Sequence, residues 1–127
     1  MMELGPHPDS ATSDSAIVSK AAIRASDRLN LPSRTLARII GVSEASISRM
    51  RKGEYRLEKN QKPFELAVLF IRLYRSLDAV VGGDDAVAKA WLTNQNPALD
   101  AAPIDLIQTV SGLTNVIHYL DARRALV

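Results

Sequence analysis

Hydrophobic side chains recur every three or four residues along most of this 127-residue chain, and no segment shows the alternation of a half-buried strand. The pattern therefore predicts an all-α fold. The predicted helices cover about 14–29, 33–40, 43–53, 63–81, 85–92, 103–110 and 113–126. Within the last two helices, the residues expected to face inward are Ile104, Ile107, Val110, Leu113, Val116, Ile117 and Leu120.

The second and third predicted helices have the spacing of a helix-turn-helix. Gly41 gives the backbone the freedom to end the first of the two, and Ser43 is placed to cap the second. Ser33 is placed in the same way to cap the first, and Asp84 or Asp85 is placed to cap the helix over 85–92. The hydrophobic residues that such a pair must bury are Ile40, Val42 and Ile47. The alternative is a helical hairpin that serves packing alone.

Charge is distributed unevenly along the chain. Residues 33–62 contain eight basic and three acidic residues, a net charge of +5, whereas residues 63–127 contain five basic and seven acidic residues, a net charge of −2. A basic segment that coincides with a helix-turn-helix favours a polyanionic partner such as DNA. The second half is expected to have a different partner.

In a helix-turn-helix, the start of the second helix approaches the base edges in the major groove of DNA. The residues expected to read bases are Glu44, Ala45, Ser46 and Ser48. The residues expected to contact phosphates, which set the register without reading sequence, are Arg34, Arg49, Arg51 and Lys52. The alternative for each basic residue is a solvated surface charge.

The composition divides the chain into three segments. Residues 1–13 are mostly small and polar, with one glycine and two prolines, and we predict a flexible tail there. Residues 14–62 form the predicted helix-turn-helix module, and residues 63–127 form a second helical module. The helix over 63–81 is more hydrophobic than one face of a small bundle requires, which predicts a self-association or scaffold element. Helix-turn-helix proteins usually read two half-sites, so we expect a homodimer.

Nothing in the sequence indicates catalysis or metal binding. The chain has no cysteine, and it lacks a phosphate-binding loop, a nucleophile motif and a cluster with metal-ligand spacing. We therefore expect a protein that is not an enzyme and that needs no metal or cofactor. No stretch is hydrophobic enough to span a membrane and no export signal is recognisable, so we expect a cytoplasmic protein without a membrane partner.

The second module carries a more specific pattern. It contains Ala90-Trp91-Leu92, Asn96-Pro97-Ala98-Leu99, Pro103-Ile104-Asp105-Leu106-Ile107, and then Gly112, Val116 and Leu120 at four-residue intervals. This pattern resembles the toxin-binding domain of the Xre/MbcA/ParS antitoxins, the partners of RES-domain toxins, and the upstream helix-turn-helix fits the Xre part. Two departures stand out. Asp100-Ala101-Ala102 occupies a place where members often have a glycine, and no glycine-containing tail follows Arg123-Arg124.

The resemblance implies an antitoxin of a type II toxin–antitoxin system, with an N-terminal helix-turn-helix followed by a small helical toxin-binding bundle. Such a protein neutralises a RES-domain toxin, an enzyme that attacks NAD, by covering its active site with the carboxyl-terminal region. It also binds operator DNA to regulate its own operon, as a homodimer within a larger complex. The residues expected to contact the toxin are Trp91, Leu92, Asn96, Pro97, Leu99, Tyr119, Arg123, Arg124, Leu126 and Val127. The alternatives are a phage-type repressor without a toxin partner and a helical interaction protein without a role on DNA.

Overall fold

The structure, a computed structural model, describes the backbone of residues 8–126 and the side chains of residues 14–126. The helices are α1 (Pro8–Arg28), α2 (Ser33–Ile40), α3 (Glu44–Arg51), α4 (Lys62–Val80), α5 (Asp85–Thr93), α6 (Pro103–Leu106) and α7 (Val110–Arg124). Within residues 8–126 the backbone forms no β-strand, only an isolated bridge between Asn96 and Ala101. The predicted all-α fold is confirmed.

The helix-turn-helix consists of α2 and α3. Gly41 has a φ of 77° and its N–H donates a hydrogen bond to the last turn of α2, so the turn uses the left-handed conformation that glycine adopts most easily. Ser43 caps α3 by accepting a hydrogen bond from the Ser46 N–H, as predicted. Ser33 does not cap α2. The cap position belongs to Pro32, which makes no side-chain hydrogen bond there.

A continuous hydrophobic core supports this module. Its fully buried side chains include Leu29, Leu36, Ile40, Ile47 and Leu57. The predicted burial of Ile40 and Ile47 is thereby confirmed, and Val42 is half-buried against the same core. The Leu57 N–H also donates a hydrogen bond of 2.9 Å to the Ser19 hydroxyl, which attaches the segment after α3 to α1.

The first helix begins at Pro8, six residues before the predicted start. Proline suits the first turn of a helix, because that turn leaves its N–H groups without partners in any case. The prediction of a flexible tail is therefore wrong for residues 8–13, which are helical. Residues 1–7 lie outside the described part of the chain.

The long helix α4 lies at the centre of the fold. It packs against α1, α2, α5 and α7, so its hydrophobic residues are used on several sides within one subunit. Its buried residues are Leu66, Ala67, Phe70, Leu73, Ser76 and Leu77. This central position explains the hydrophobic excess that the sequence shows, and it makes α4 the scaffold of the molecule. The excess is therefore no argument for self-association.

The junction between α6 and α7 differs from the prediction. Helix α6 ends at Leu106, and Thr109 caps α7 by accepting a hydrogen bond from the Gly112 N–H. Val110 consequently lies in the first turn of α7 and is exposed, so the prediction that it faces inward is wrong. The predicted inward positions Leu113, Val116, Ile117 and Leu120 are all buried, as is Ile107.

Gly112 lies at the closest approach of this junction. A Cβ atom at this position would stand 1.9 Å from the carbonyl oxygen of Leu106, which is backbone and cannot move aside cheaply. Only glycine therefore allows α7 to start directly against the end of α6. Asp84, which follows two glycines, caps α5 by accepting hydrogen bonds from the N–H groups of Ala86 and Val87, as predicted.

Candidate functional site

The outer face of α3 carries most of the residues expected to read DNA. Ile47 and Met50 point into the core, and this turns the rest of the helix outward. The expected DNA contacts that are exposed are Arg34, Glu44, Ala45, Ser48, Arg49, Arg51 and Lys52. The structure therefore presents these side chains on one module, in the arrangement that a helix-turn-helix requires.

Ser46 and Arg49 are held by neighbours on this face. The Ser46 hydroxyl lies 3.0 Å from the Ser43 hydroxyl, and it accepts a hydrogen bond of 3.3 Å from Arg49. Ser46 is half-buried and belongs to the cap of α3, which limits its reach toward a base. The Arg49 guanidinium also lies over the Tyr55 ring, 5.8 Å from its centroid. Tyr55 therefore helps to orient Arg49, a role that the sequence did not reveal.

Arg51 makes a different contact from the one expected. Its guanidinium donates a hydrogen bond of 2.7 Å to the Asp27 carboxylate on α1. This ion pair ties α3 to α1 and neutralises the charge that a phosphate contact would use. Arg51 is thus better explained as a structural residue than as a phosphate contact. The pairing was not visible in the sequence because the two residues are 24 positions apart.

A second candidate surface is a cleft of about 440 Å³ between α5, the loop after it and α7. It is lined by Trp91, Asn94, Gln95, Asn96, Pro97, Ala98, Tyr119 and Arg123. The rings of Trp91 and Tyr119 are stacked, with centroids 6.2 Å apart and planes inclined by 20°. The structure therefore brings together Trp91, Asn96, Pro97, Tyr119 and Arg123, five of the residues expected to contact a toxin.

Arg123 is held in place at the edge of this cleft. Its guanidinium donates a hydrogen bond of 2.8 Å to the Tyr119 hydroxyl and lies over the same ring, 5.7 Å from the centroid. A cation that is already oriented loses less freedom when it meets an anionic group. The cleft thus offers a stacked aromatic pair and one positioned positive charge.

The Asn96 side chain builds the loop that forms one wall of the cleft. Its Oδ1 accepts hydrogen bonds from the N–H groups of Ala98 and Leu99, at 2.9 and 3.2 Å. The loop closes with Asp100 at a φ of 58°. The pattern that the second module resembles often has a glycine in this segment. Aspartate adopts the left-handed conformation more easily than most residues do, which explains how the loop can form without that glycine.

Leu92 was expected to contact a toxin, and this prediction is wrong. The side chain is fully buried in the core. Consecutive residues of a helix point about 100° apart, so that α5 can face the cleft with Trp91 and the core with Leu92. Leu99 is half-buried and packs on the same core.

The two arginines at the end of α7 point to different sides. Arg123 faces the cleft, whereas Arg124 lies 3.4 Å from the Ser76 hydroxyl on α4. Leu126 follows with 83% of its surface exposed, and Val127 lies outside the described residues. The chain therefore leaves the bundle beside the cleft with a hydrophobic side chain in solvent.

Asp121 fastens this last part of α7 to α4. Its carboxylate accepts hydrogen bonds from the Ser76 hydroxyl, at 2.8 Å, and from Arg72. Burial alone would raise the pKa of Asp121, but these hydrogen bonds and the charges of Arg72 and Arg124 outweigh it and hold the pKa below its ordinary value. The sequence does not reveal this contact because Asp121 and Ser76 are 45 positions apart.

The described residues contain no group of three or more histidine and acidic side chains able to hold a metal ion. No helix among them is long and apolar enough to cross a membrane. The outer face of α3 and the Trp91 cleft, the two surfaces defined above, are the candidate sites. Both are suited to binding a macromolecule.

Comparison with known families assigns both halves of the chain. The family described as the antitoxin Xre/MbcA/ParS C-terminal toxin-binding domain matches residues 76–125, and the family described as the antitoxin Xre-like helix-turn-helix domain matches residues 10–72. The two matches meet inside α4, which therefore serves both modules. A comparison with curated protein sequences finds no match.

One solved structure with a similar fold is described as the crystal structure of the M. tuberculosis MbcT–MbcA toxin–antitoxin complex. The TM-score is 0.66 and the sequence identity is 20%, over 87% of this chain and 96% of the chain compared. At this identity the likeness shows a shared fold. The match extends over most of this chain, so the shared fold includes both of its modules.

Proposed function

Because the chain belongs to the Xre/MbcA/ParS-type antitoxins, we propose that it neutralises a RES-domain toxin by covering the toxin's NAD pocket with its carboxyl-terminal region. The observation that carries this proposal is the Trp91 cleft, which lies beside the exposed end of the chain. The similar structure is described as a toxin–antitoxin complex, which supports a protein partner of this kind. This role requires binding and no catalysis.

The physical basis of the blockade is a positioned cation followed by a hydrophobic end. Arg123 is oriented by Tyr119, and a guanidinium pairs readily with carboxylates in a pocket. Leu126, exposed here, fills hydrophobic space beside it. The stacked pair of Trp91 and Tyr119 supplies the large aromatic area that is typical of interface anchors. A toxin whose pocket is filled in this way cannot admit NAD.

The test is whether the protein of the neighbouring reading frame consumes NAD, and whether purified chain added in increasing amounts inhibits that consumption. We expect Arg123→Ala to weaken inhibition by about 10- to 100-fold, because the truncation leaves a partner group unpaired. Removal of residues 122–127 should abolish inhibition. Lys89→Ala, at an exposed basic position on α5, is the matched control and should inhibit as the wild type does. Full inhibition by the truncated chain would refute the blockade.

We also propose that the chain binds the operator of its own operon as a homodimer, each copy reading one half-site. Glu44, Ala45 and Ser48 are exposed at the start of α3, where base contacts are made. Arg34, Arg49 and Lys52 are exposed around them and are suited to phosphates. The test is titration of the upstream DNA at several salt concentrations. Arg49→Ala should weaken binding and reduce the salt slope by about one. An unchanged affinity and slope would remove Arg49 from the interface.

A further inference from the structure

A groove between α1 and α4 is not used by either candidate surface. It has a volume of about 550 Å³. Its lining residues are Ile17, Val18, Ala21, Val68 and Ile71, with Arg72, Arg75 and Arg124 along the edge. Ile17 is 61% exposed and Val68 is 43% exposed, so two large hydrophobic side chains face solvent in the isolated chain. A hydrophobic patch of this kind, rimmed by charge, is typical of an interaction surface.

The outer face of α4 beside the groove has an ordered charge pattern. Glu65, Val68, Arg72 and Arg75 are all exposed, and because Arg72 is paired with Asp121 on α7, Arg75 supplies the positive end. At about 100° per residue they lie within an arc of roughly 80° on the helix. The face therefore runs from a negative end, through a hydrophobic middle, to a positive end. A face with this order is complementary to a copy of itself that runs in the opposite direction.

We propose that this groove is the interface of the homodimer and that its occupant is a second copy of the chain, related by a twofold axis close to Val68 and Ile71. Such an axis places Glu65 opposite Arg75 of the partner subunit, twice over. It also allows Ile17 of each copy to enter the groove of the other. The inference rests on the homodimer proposed above and names the surface that forms it.

The pattern of charges favours a second copy over other occupants. A uniformly acidic segment of another protein would pair with the arginines but would be repelled by Glu65, whereas a copy satisfies both ends at once. The interface also leaves the proposed functions accessible. No residue that lines the groove belongs to the expected DNA contacts or to the Trp91 cleft. Arg124 lines the groove, so we assign it to this face rather than to the toxin.

The hydrophobic part is tested with a pair of matched variants. Val68→Asp places a charge in the groove, and Val87→Asp changes a valine of similar exposure, 48%, on α5. We expect light scattering and sedimentation to give a dimer for the wild type and for Val87→Asp. The dimer of Val68→Asp should dissociate at least about tenfold more readily, because an unpaired charge is costly to bury. Circular dichroism should show an unchanged fold for both variants.

The electrostatic part is tested by exchanging charges between two chains. Glu65→Arg alone places an arginine opposite Arg75 of the partner subunit, and Arg75→Glu alone places a glutamate opposite Glu65 of the partner subunit. Each variant should therefore dimerise about tenfold more weakly. In an equimolar mixture both contacts are again between opposite charges. We therefore expect the mixture to form a heterodimer with nearly wild-type affinity, which no change in monomer stability would produce.

Several results would overturn the inference. They are a wild-type chain that stays monomeric at all concentrations, single variants that dimerise normally, a mixture that does not recover, and a Val68→Asp chain that keeps its dimer but loses toxin inhibition. The last result would assign the groove to the toxin. If deletion of residues 1–7 exposed a groove that wild-type chains cover, the occupant would be that segment, and the proposed dimer contact would be wrong.

The assays separate this inference from the proposed function. The molecular mass of the variants reports on the interface whether or not any toxin is inhibited. A monomeric Val68→Asp chain that still inhibits NAD consumption supports both proposals. A wild-type chain that dimerises through this groove but inhibits no RES-domain protein would leave the interface intact and refute the proposed function.

Discussion

The outer face of α3 and the Trp91 cleft are held in place in different ways. On α3, the contacts that set the surface are mostly local, since Ser43 caps the helix three residues before Ser46 and Tyr55 supports Arg49 six residues later. The cleft is assembled from distant segments, because Trp91 on α5 stacks on Tyr119 on α7. The end of α7 is further fastened to α4 by Asp121. Both surfaces rest on the common core, but the side-chain contacts on α3 are mostly short in sequence, whereas the cleft depends on how α5 and α7 are placed relative to each other.

The largest effect is expected for Gly112→Ala. This residue lies in α7, one of the helices that form the Trp91 cleft. The new methyl group would collide with the Leu106 carbonyl oxygen, so α6 and α7 must separate. We expect a loss of about 3 kcal/mol in the free energy of unfolding, at the upper end of overpacking effects. Urea titration measures the loss, and Ser111→Ala, at an exposed neighbouring position, is the control. A stability equal to that of the control would mean that the junction is not as close as described.

A smaller effect is expected for Asp121→Asn, which removes the charge that fastens α7 to α4. Because the carboxylate is partly exposed, we expect a loss of about 1 kcal/mol near neutral pH. The ordinary pKa of the group is 3.8 and its pKa in the fold is lower, so the contribution is complete above about pH 4 and disappears as the pH falls through the lower value. Urea titrations of both proteins between neutral and acidic pH should therefore converge at low pH.

Asp105→Asn, at an exposed position on α6, is the control for Asp121→Asn. It should leave the stability of the protein nearly unchanged over the same pH range. If Asp121→Asn and Asp105→Asn behaved alike, the hydrogen bonds from Ser76 and Arg72 would contribute nothing measurable. Toxin inhibition by Asp121→Asn should weaken in proportion to the loosening of the chain end.

The local region is tested by Ser43→Ala, which removes the cap of α3. The loss of a capping serine costs about 1 kcal/mol or somewhat less. Because the contact is local, we expect a lower affinity for operator DNA and unchanged toxin inhibition. Both assays described above measure this. Loss of toxin inhibition in this variant would break the comparison, since it would show that the cleft depends on the start of α3.

The smallest effect is expected for Arg51→Ala. Its ion pair with Asp27 is largely exposed, and such pairs contribute about 0.5 kcal/mol. The affinity for operator DNA should change much less than it does in Arg49→Ala, although both arginines lie on α3. Asp27→Ala should match Arg51→Ala in stability. A strong loss of DNA affinity in Arg51→Ala alone would return this arginine to the set of phosphate contacts.

Sequence reasoning was most successful where a signal and its structural partner are close together. The caps Ser43 and Asp84 each act within three residues, and the turn at Gly41 follows from glycine's backbone freedom. It was least successful at boundaries between short helices. Thr109 caps α7, so Val110 belongs to the start of that helix, whereas the hydrophobic spacing alone places it at the end of the helix before.

The sequence by itself determined the helical architecture, the helix-turn-helix and the family pattern of the second module, because spacing, caps and turns are properties of neighbouring residues. Only the tertiary structure decided which side chains remain for a partner. Arg51 pairs with Asp27, which is 24 residues away in the sequence. Asp121 accepts a hydrogen bond from Ser76, which is 45 residues away. Leu92 was likewise taken into the core. Such assignments depend on which helices become neighbours, and the packing of the whole chain around α4 sets that.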